Sequence, residues 1–320
     1  MNRLLVALLL LLAGACSAEA LAVRAAADYS AKHRGTSLLI IQNGRTLHEQ
    51  NATTPRRIYS GTKAFWGLAA LAAAQDGLLN LDERVADTIP SWRNDPRKSR
   101  VTVRQLLDFS AGLEPAFHLH RDDPGNRDSI AIRQQIVAEP GTAFIYGPAA
   151  LQVFHTVLKT KLRGETPRRY LERRVLRRLG LGPQRYLQDR AGNPLLAAGF
   201  VMTSRQWAKL GQLVLKGDPL TQARRGSPAN PNYSLGWWNN LAAPAARESD
   251  YEQRLSRKWH TQHWRGVCMS RIAPRDLVAS IGSGGQRLYV IPSRQLVVVR
   301  HGSGGSFSDA EFLQRLLAPL

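Results

Sequence analysis

The chain has 320 residues, 43% of them hydrophobic and 21% charged, which is typical of a globular protein that buries a large core. Its two cysteines, Cys16 and Cys268, are too few for a disulfide framework. The formal net charge of +20 raises the question of an anionic partner.

The first 20 residues, MNRLLVALLLLLAGACSAEA, combine an early arginine, an apolar run and small residues. This pattern predicts a signal peptide and therefore an exported protein, either periplasmic or secreted. Ala18-Glu19-Ala20 fits ordinary cleavage. The segment that ends at Cys16 loosely resembles a bacterial lipoprotein box with its Leu one position early, so a lipid anchor stays an alternative. Cys268 is then the one remaining cysteine, and we expect it to be a small buried apolar side chain.

Strand-like patterns occur at both ends of the mature chain. A helical stretch near 21–33 precedes two β-rich runs joined at Asn43-Gly44, which is a hairpin signal. Helical patterns dominate 60–232, and strand patterns return from 233 before a last helix. The sequence therefore predicts an α/β subdomain from 21–59 and 233–320, in which both ends share one sheet, and a mostly helical subdomain from 60–232.

A basic segment lies in the helical region, where residues 159–190 hold eleven Lys or Arg against three acidic residues. Leu171, Val175 and Leu179 recur at helical spacing, so 167–179 is predicted to be an amphipathic helix with a basic outer face. We favour a solvated face; contact with an anionic envelope surface is the alternative. No aromatic interleaving or nucleic-acid motif accompanies it, so no nucleic-acid partner is expected.

The stretch IYSGTKAFWGLAALAAAQDG, residues 58–77, carries one lysine among apolar residues. In a helix that starts near Ser60, the hydroxyl of Ser60 and the amine of Lys63 lie on one face. One interpretation is a capped, buried helix whose lysine reaches solvent. The other is a nucleophile and its base, because an amine among apolar neighbours loses its proton more easily. The spacing alone leaves both interpretations open.

Two further segments carry histidines. HLHRDD, from His118 to Asp123, has ligand types that could hold zinc, but it lies in a loop and a substrate-facing or exposed loop is the better interpretation; no metal is expected. WHTQHW, residues 259–264, is either a packed aromatic loop or one wall of an acyl pocket that includes His263. Trp237 and Trp238 would then form the opposite wall.

One glycine-rich segment, HGSGG at 301–305, superficially suggests a phosphate loop. It follows a late strand and precedes the last helix, so it is predicted to be a turn and helix cap.

Four further segments stand in a fixed order along the chain: YSGTK at 59–63, VTVRQLLDFSAGL at 101–113, EPGTAFIYGP at 139–148 and GSGGQRLYVIPSRQLVVV at 282–299. Together they resemble motifs of the serine β-lactamase and penicillin-binding-protein superfamily, particularly the class C-like branch that includes esterases and aminohexanoate-oligomer hydrolases. The resemblance implies a two-subdomain β-lactamase-like fold, in which an antiparallel sheet is flanked by the N- and C-terminal helices and joined to a mostly helical subdomain.

The resemblance also implies roles for single residues. Ser60 would attack an acyl carbonyl, Lys63 would take or share its proton, and Tyr146 would relay that proton to the leaving group. The family's third motif, Lys-Thr-Gly, matches Ser280-Ile281-Gly282 best. The backbone N–H groups of Ser60 and Ser283 would then form the oxyanion hole.

Two positions depart from the family pattern. Ser280 stands where the family has a lysine that can meet a substrate carboxylate, and Pro148 stands where it has an asparagine that can bond a substrate amide. Arg287 or His263 could supply a cation instead. The departures favour a serine hydrolase without a cofactor that acts on a small ester or amide over a class C-like β-lactamase or D,D-peptidase. A catalytically silent, basic envelope-binding protein is the alternative from another class.

Overall fold

The computed structural model describes residues 18–217, 219–256 and 258–317. Most of the predicted signal segment 1–20, including Cys16, therefore lies outside the described residues. Among the helices that are described, none has the length and apolar character needed to cross a bilayer.

The strands form one large sheet and two small pairs. In chain order they are β1 (Gly35–Gln42), β2 (Arg45–Gln50), β3 (Arg56–Arg57), β4 (Val201–Met202), β5 (Tyr233–Ser234), β6 (Trp237–Asn239), β7 (Arg247–Glu248), β8 (Val267–Cys268), β9 (Val278–Gly282), β10 (Gln286–Ile291) and β11 (Leu296–Gly302). The α-helices are α1 (18–32), α2 (Thr62–Gln75), α3 (Val85–Thr88), α4 (Val103–Leu107), α5 (Arg127–Arg133), α6 (Pro148–Lys161), α7 (Pro167–Leu171), α8 (Ser204–Leu215), α9 (Pro219–Arg224), α10 (Tyr251–Arg254) and α11 (Asp309–Leu317).

The large sheet has seven strands in the order β2-β1-β11-β10-β9-β6-β5, and each neighbouring pair is antiparallel. Its strands come from both ends of the chain, which share one sheet as the sequence predicted. The predicted hairpin is also confirmed: Asn43 and Gly44 join β1 to β2, both with positive φ as the tight turn requires.

Helices cover both faces of this sheet. As a consequence, successive residues of β9, β10 and most of β11 are buried, whichever face they point to. On one face, Tyr289 of β10 stacks on Phe312 of α11, with ring centroids 5.9 Å apart. On the other face, α8 packs so tightly that a Cβ added to Gly211 would lie 2.7 Å from Val297. The predicted α/β fold class, a sheet flanked by terminal helices and accompanied by a helical part, is confirmed.

Residues 60–232, which the sequence assigns to a mostly helical subdomain, contain α2 to α9 and the short strand β4. The basic segment 167–179 is helical but not a regular α-helix, because a π-helical turn at Glu172–Leu176 follows α7. Its Arg174 turns inward and donates from Nε to Asp76 Oδ2 at 2.7 Å. Leu171, Val175 and Leu179 are buried and the other arginines of this segment are exposed, so its outer face is basic as the spacing predicts.

Candidate active site

Ser60 and Lys63 lie at the start of α2, where a single 3₁₀ turn, Tyr59–Gly61, leads into the helix. The amine of Lys63 donates to Ser60 Oγ at 2.8 Å. Gly61, not Ser60, is the N-cap residue, and no side chain caps the helix. The Ser60 hydroxyl is thus free of a capping role and is bonded to the amine one turn along the helix.

Lys63 does not reach solvent, because only 3% of the residue is exposed and α2 is buried on nearly all sides. Its Nζ makes a second hydrogen bond, to the carbonyl oxygen of Ala197 at 2.8 Å. Burial lowers the pKa of Lys63 to about 7. The interpretation of a lysine that extends to solvent is therefore wrong, and the amine is partly neutral near pH 7, as a general base requires.

Tyr146 completes a compact group with these two side chains. Its ring lies under the amine of Lys63, with Nζ 4.6 Å from the ring centroid, and its hydroxyl lies beside the Ser60 side chain. Burial is the main cause that raises the pKa of Tyr146, and the negative charge of Glu252 adds to it. The phenol therefore keeps its proton at neutral pH and can donate it to a group that leaves Ser60.

We expect hydrolysis to quicken as pH rises through about 7, because only the neutral amine of Lys63 can accept the Ser60 proton. The measurement is kcat/KM for an ester between about pH 5 and 9, which should rise and then level off.

The control for this profile is Asp108→Asn, since burial also raises the pKa of Asp108 to about 7. If kcat/KM of Asp108→Asn still rises with pH, Asp108 is not the group that titrates, as the assignment to Lys63 predicts. A rise that disappears there, or a wild-type profile without any rise, would contradict the assignment to Lys63.

A cavity of about 440 Å³ opens over Ser60. The polar side chains that line it besides Ser60 are Tyr59, His120, Tyr146, Glu252, Ser256 and Ser283. Its larger apolar residues are Phe117, Trp238, Leu255 and Ile281. The cavity is thus large enough for a small molecule and has apolar walls around a few polar groups, which is typical of a substrate site.

The end of β9 lies directly against the turn that carries Ser60. A Cβ on Gly282 would overlap the carbonyl oxygen of Ile58, so only glycine allows this approach. Ser280 is buried and donates from Oγ to the Gly61 carbonyl at 3.1 Å, whereas Ile281, Gly282 and Ser283 line the cavity. Ser60 and Ser283 therefore belong to one cavity wall, as two oxyanion-hole donors must.

Glu252, which the sequence analysis did not single out, holds the turn that follows Ser283. Its carboxylate accepts the backbone N–H groups of Gly284 at 2.6 Å and Gly285 at 3.2 Å. Arg287 Nη1 donates to the same carboxylate at 2.8 Å. Glu252 and Gly284 are 32 residues apart along the chain, and no local sequence pattern predicts their contact.

The structure brings one of the two predicted tryptophans to the cavity. Trp238 lines it, whereas Trp237 is the neighbouring residue of β6 and points to the opposite face of the sheet. Trp238 packs against Trp264 with ring centroids 5.0 Å apart, so WHTQHW contributes its last residue to the aromatic group behind the wall.

Three other predicted pocket residues lie outside the set that lines the cavity. His263 is exposed, and its carbonyl oxygen accepts from Arg254. Pro148 is the buried first residue of α6. Arg287 is only 1% exposed and bonds Asp309 from Nε at 2.7 Å, so its charge is already paired beneath the sheet.

His120 lines the cavity, so HLHRDD faces the site in part. Loss of hydration next to the surrounding protein is the main cause that lowers the pKa of His120 to about 4, and the positive charges of Lys63 and Arg127 add to it. The imidazole is therefore neutral at pH 7. Within the described residues, no group of three or more His, Cys, Asp or Glu could hold a metal ion. Cys268 is buried and unpaired in β8, away from this cavity.

Comparison with known proteins gives a consistent result. The family model described as Beta-lactamase matches residues 22–317. Protein flp from Staphylococcus aureus (strain NCTC 8325 / PS 47) is 33% identical over 94 residues, which are 25% of this chain and 19% of that protein. The match thus spans about a fifth of the length of this curated relative.

Solved structures show the same fold. EstCE1, described as a hydrolase with promiscuous acyltransferase activity, has a TM-score of 0.65 and 17% identity, with 94% of this chain and 97% of that chain covered. A class C beta lactamase from Rhodobacter sphaeroides has a TM-score of 0.64 and 17% identity, with 92% and 97% covered.

Proposed function

The chain belongs to the beta-lactamase family, and from that premise we propose that it is a serine hydrolase that cleaves a small ester or amide through an acyl-enzyme on Ser60. The observation that carries the proposal is the hydrogen bond of 2.8 Å between Ser60 Oγ and Lys63 Nζ, whose pKa burial lowers so that the amine is partly neutral near pH 7. A neutral amine at this distance can accept the hydroxyl proton as oxygen attacks a carbonyl.

The reaction proceeds in two halves. In the first, Ser60 Oγ bonds to the acyl carbon and its proton passes to Lys63. Tyr146 gives a proton to the departing alcohol or amine as the old bond breaks, and it takes the proton of Lys63 in return, so both groups end in their starting protonation state. In the second, water attacks the acyl-enzyme and gives up a proton, which returns to Ser60 as the acid leaves. The backbone N–H groups of Ser60 and Ser283 stabilise the negative oxygen in both halves.

The departures at two positions support a substrate other than a penicillin-like compound. Ser280 is buried and bonded to Gly61, so it offers the cavity no cation. Pro148 offers no amide and lies outside the residues that line the cavity. Without a cation and an amide at these positions, specific binding of a β-lactam carboxylate or side-chain amide is weakened. The residues proposed for acyl transfer, Ser60, Lys63 and Tyr146, are all present.

We therefore expect p-nitrophenyl butyrate to be hydrolysed with a higher kcat/KM than nitrocefin. Loss of two charge-assisted or amide hydrogen bonds corresponds to a preference of about tenfold or more. Both substrates are measured with one preparation of the protein at one pH. Nitrocefin turnover that matches or exceeds ester turnover would contradict the assignment.

A further inference from the structure

A second cavity, of about 680 Å³, adjoins the active-site cavity. Tyr59 and Ser283 line both cavities, so the two meet beside the nucleophile and the predicted oxyanion donors. Tyr146 lines only the first cavity. A leaving group that takes its proton from Tyr146 thus lies on that side, and the second cavity is open to the acyl part of a substrate.

Two arginines of β3 line the second cavity, and no Asp or Glu does among the described residues. Arg57 is exposed, and Arg56 is half-buried with its Nε buried and unbonded in the described part of the chain. Neither forms an ion pair with a described carboxylate. A buried guanidinium nitrogen without a partner favours an anionic ligand that supplies one.

The lining of the second cavity also includes Gly302, Ser303 and Gly304, from the HGSGG segment. Their backbone N–H groups are already donated, to the Gln286 side chain, the Arg34 carbonyl and the Gly284 carbonyl respectively. This segment therefore offers no row of amides for a phosphate, and recognition of an anion falls to the arginine side chains. A guanidinium matches a planar carboxylate with two parallel hydrogen bonds.

A third arginine strengthens the positive potential under this cavity. Arg300 is buried and donates from Nη1 to the Gly285 carbonyl at 2.7 Å. Its other described hydrogen bonds go to Ser30 and His33 oxygens, none of them a carboxylate. The nearest acid on the first cavity, Glu252, is occupied by Gly284, Gly285 and Arg287.

We propose that the second cavity binds a carboxylate at the far end of the substrate's acyl chain, held by Arg56 and Arg57. The inference rests on the proposed hydrolysis at Ser60 and names its substrate class, the esters or amides of a dicarboxylic acid. This pair of arginines does not replace the lysine that the family has at position 280. Position 280 lies on β9, whereas Arg56 and Arg57 line the second cavity.

The test compares p-nitrophenyl hemiesters of dicarboxylic acids, from glutarate to suberate, with p-nitrophenyl esters of neutral acids of equal carbon number. The readout is the ratio of kcat/KM for hemiester to neutral ester, after uncatalysed hydrolysis is subtracted. At the best chain length we expect a ratio above about ten. In Arg56→Gln with Arg57→Gln the ratio should fall by about tenfold to a hundredfold.

The matched control is Arg177→Gln with Arg178→Gln, an exposed pair in the basic segment that removes the same charge elsewhere. Its ratio should stay within about twofold of wild type, because screened long-range attraction contributes little. Arg57→Gln alone, at an exposed position, keeps the test valid if the double variant does not fold.

Neutral esters hydrolysed without a preference for hemiesters would overturn the subsite and leave the proposed hydrolysis intact. An equal fall of the ratio in the control pair would also overturn it, since the effect would then be net charge. If neither ester class is hydrolysed, the proposed function fails and the subsite fails with it.

Discussion

Replacement of Ser60 by alanine should lower ester hydrolysis by about a thousandfold or more, and Lys63→Met should do nearly the same. Ser60 supplies the oxygen that bonds to the acyl group in the acyl-enzyme, so its loss removes the covalent route entirely. Methionine fills the space of the lysine side chain but has no amine to accept a proton from Ser60 Oγ, which lies 2.8 Å from Lys63 Nζ. The measurement is kcat/KM for p-nitrophenyl butyrate, with circular dichroism to verify folding.

Because the two side chains act as one unit, their losses should not add. The double variant Ser60→Ala with Lys63→Met should be no slower than the slower single variant. Ser91→Ala and Lys159→Met, both at exposed positions away from the cavity, are the matched controls and should stay near wild type. A Lys63→Met protein with near-normal turnover would remove the amine from the mechanism.

Replacement of Tyr146 by phenylalanine should slow cleavage of an alkyl ester by at least about a hundredfold, the usual worth of a positioned acid. Its hydroxyl lies beside Ser60 and stays protonated, because burial raises the pKa of Tyr146. An alkoxide is strongly basic and needs a proton as it leaves. A p-nitrophenolate is weakly basic, so its release should suffer much less from the same substitution.

Tyr186→Phe is the matched control for this substitution. Tyr186 is also a phenol whose pKa is raised by burial, it packs against Phe200, and its hydroxyl has no hydrogen-bond partner among the described residues. Its loss should change alkyl-ester cleavage by less than about threefold. An equal loss on both leaving groups in Tyr146→Phe would show that the phenol is not the general acid.

The β1–β2 hairpin and the proximity of Ser60 to Lys63 could be predicted from the sequence because both depend on short-range patterns. Two β-rich runs and the Asn43-Gly44 turn between them predict β1 and β2, and a spacing of three residues puts Ser60 and Lys63 on one helical face. The family resemblance then joins Tyr146 to them, although 83 residues separate it from Lys63.

The walls of the cavity could not be predicted in the same way, because they depend on contacts between distant segments. Arg287 looked available as a cation, but β10 is covered on both faces and the arginine meets Asp309 of α11. Trp237 and Trp238 are neighbours in sequence yet face opposite sides of β6. Glu252 reaches Gly284 only because α10 packs beside the β9–β10 turn.

The most direct test of a nucleophile at Ser60 is covalent labelling with a fluorophosphonate, followed by mass spectrometry of the digested protein. We expect one phosphonyl group per chain on the peptide that contains Ser60, and labelling should be lost in Ser60→Ala and slowed in Lys63→Met. An unlabelled but folded wild-type protein, or a label on any other residue with Ser60 unmodified, would contradict the account.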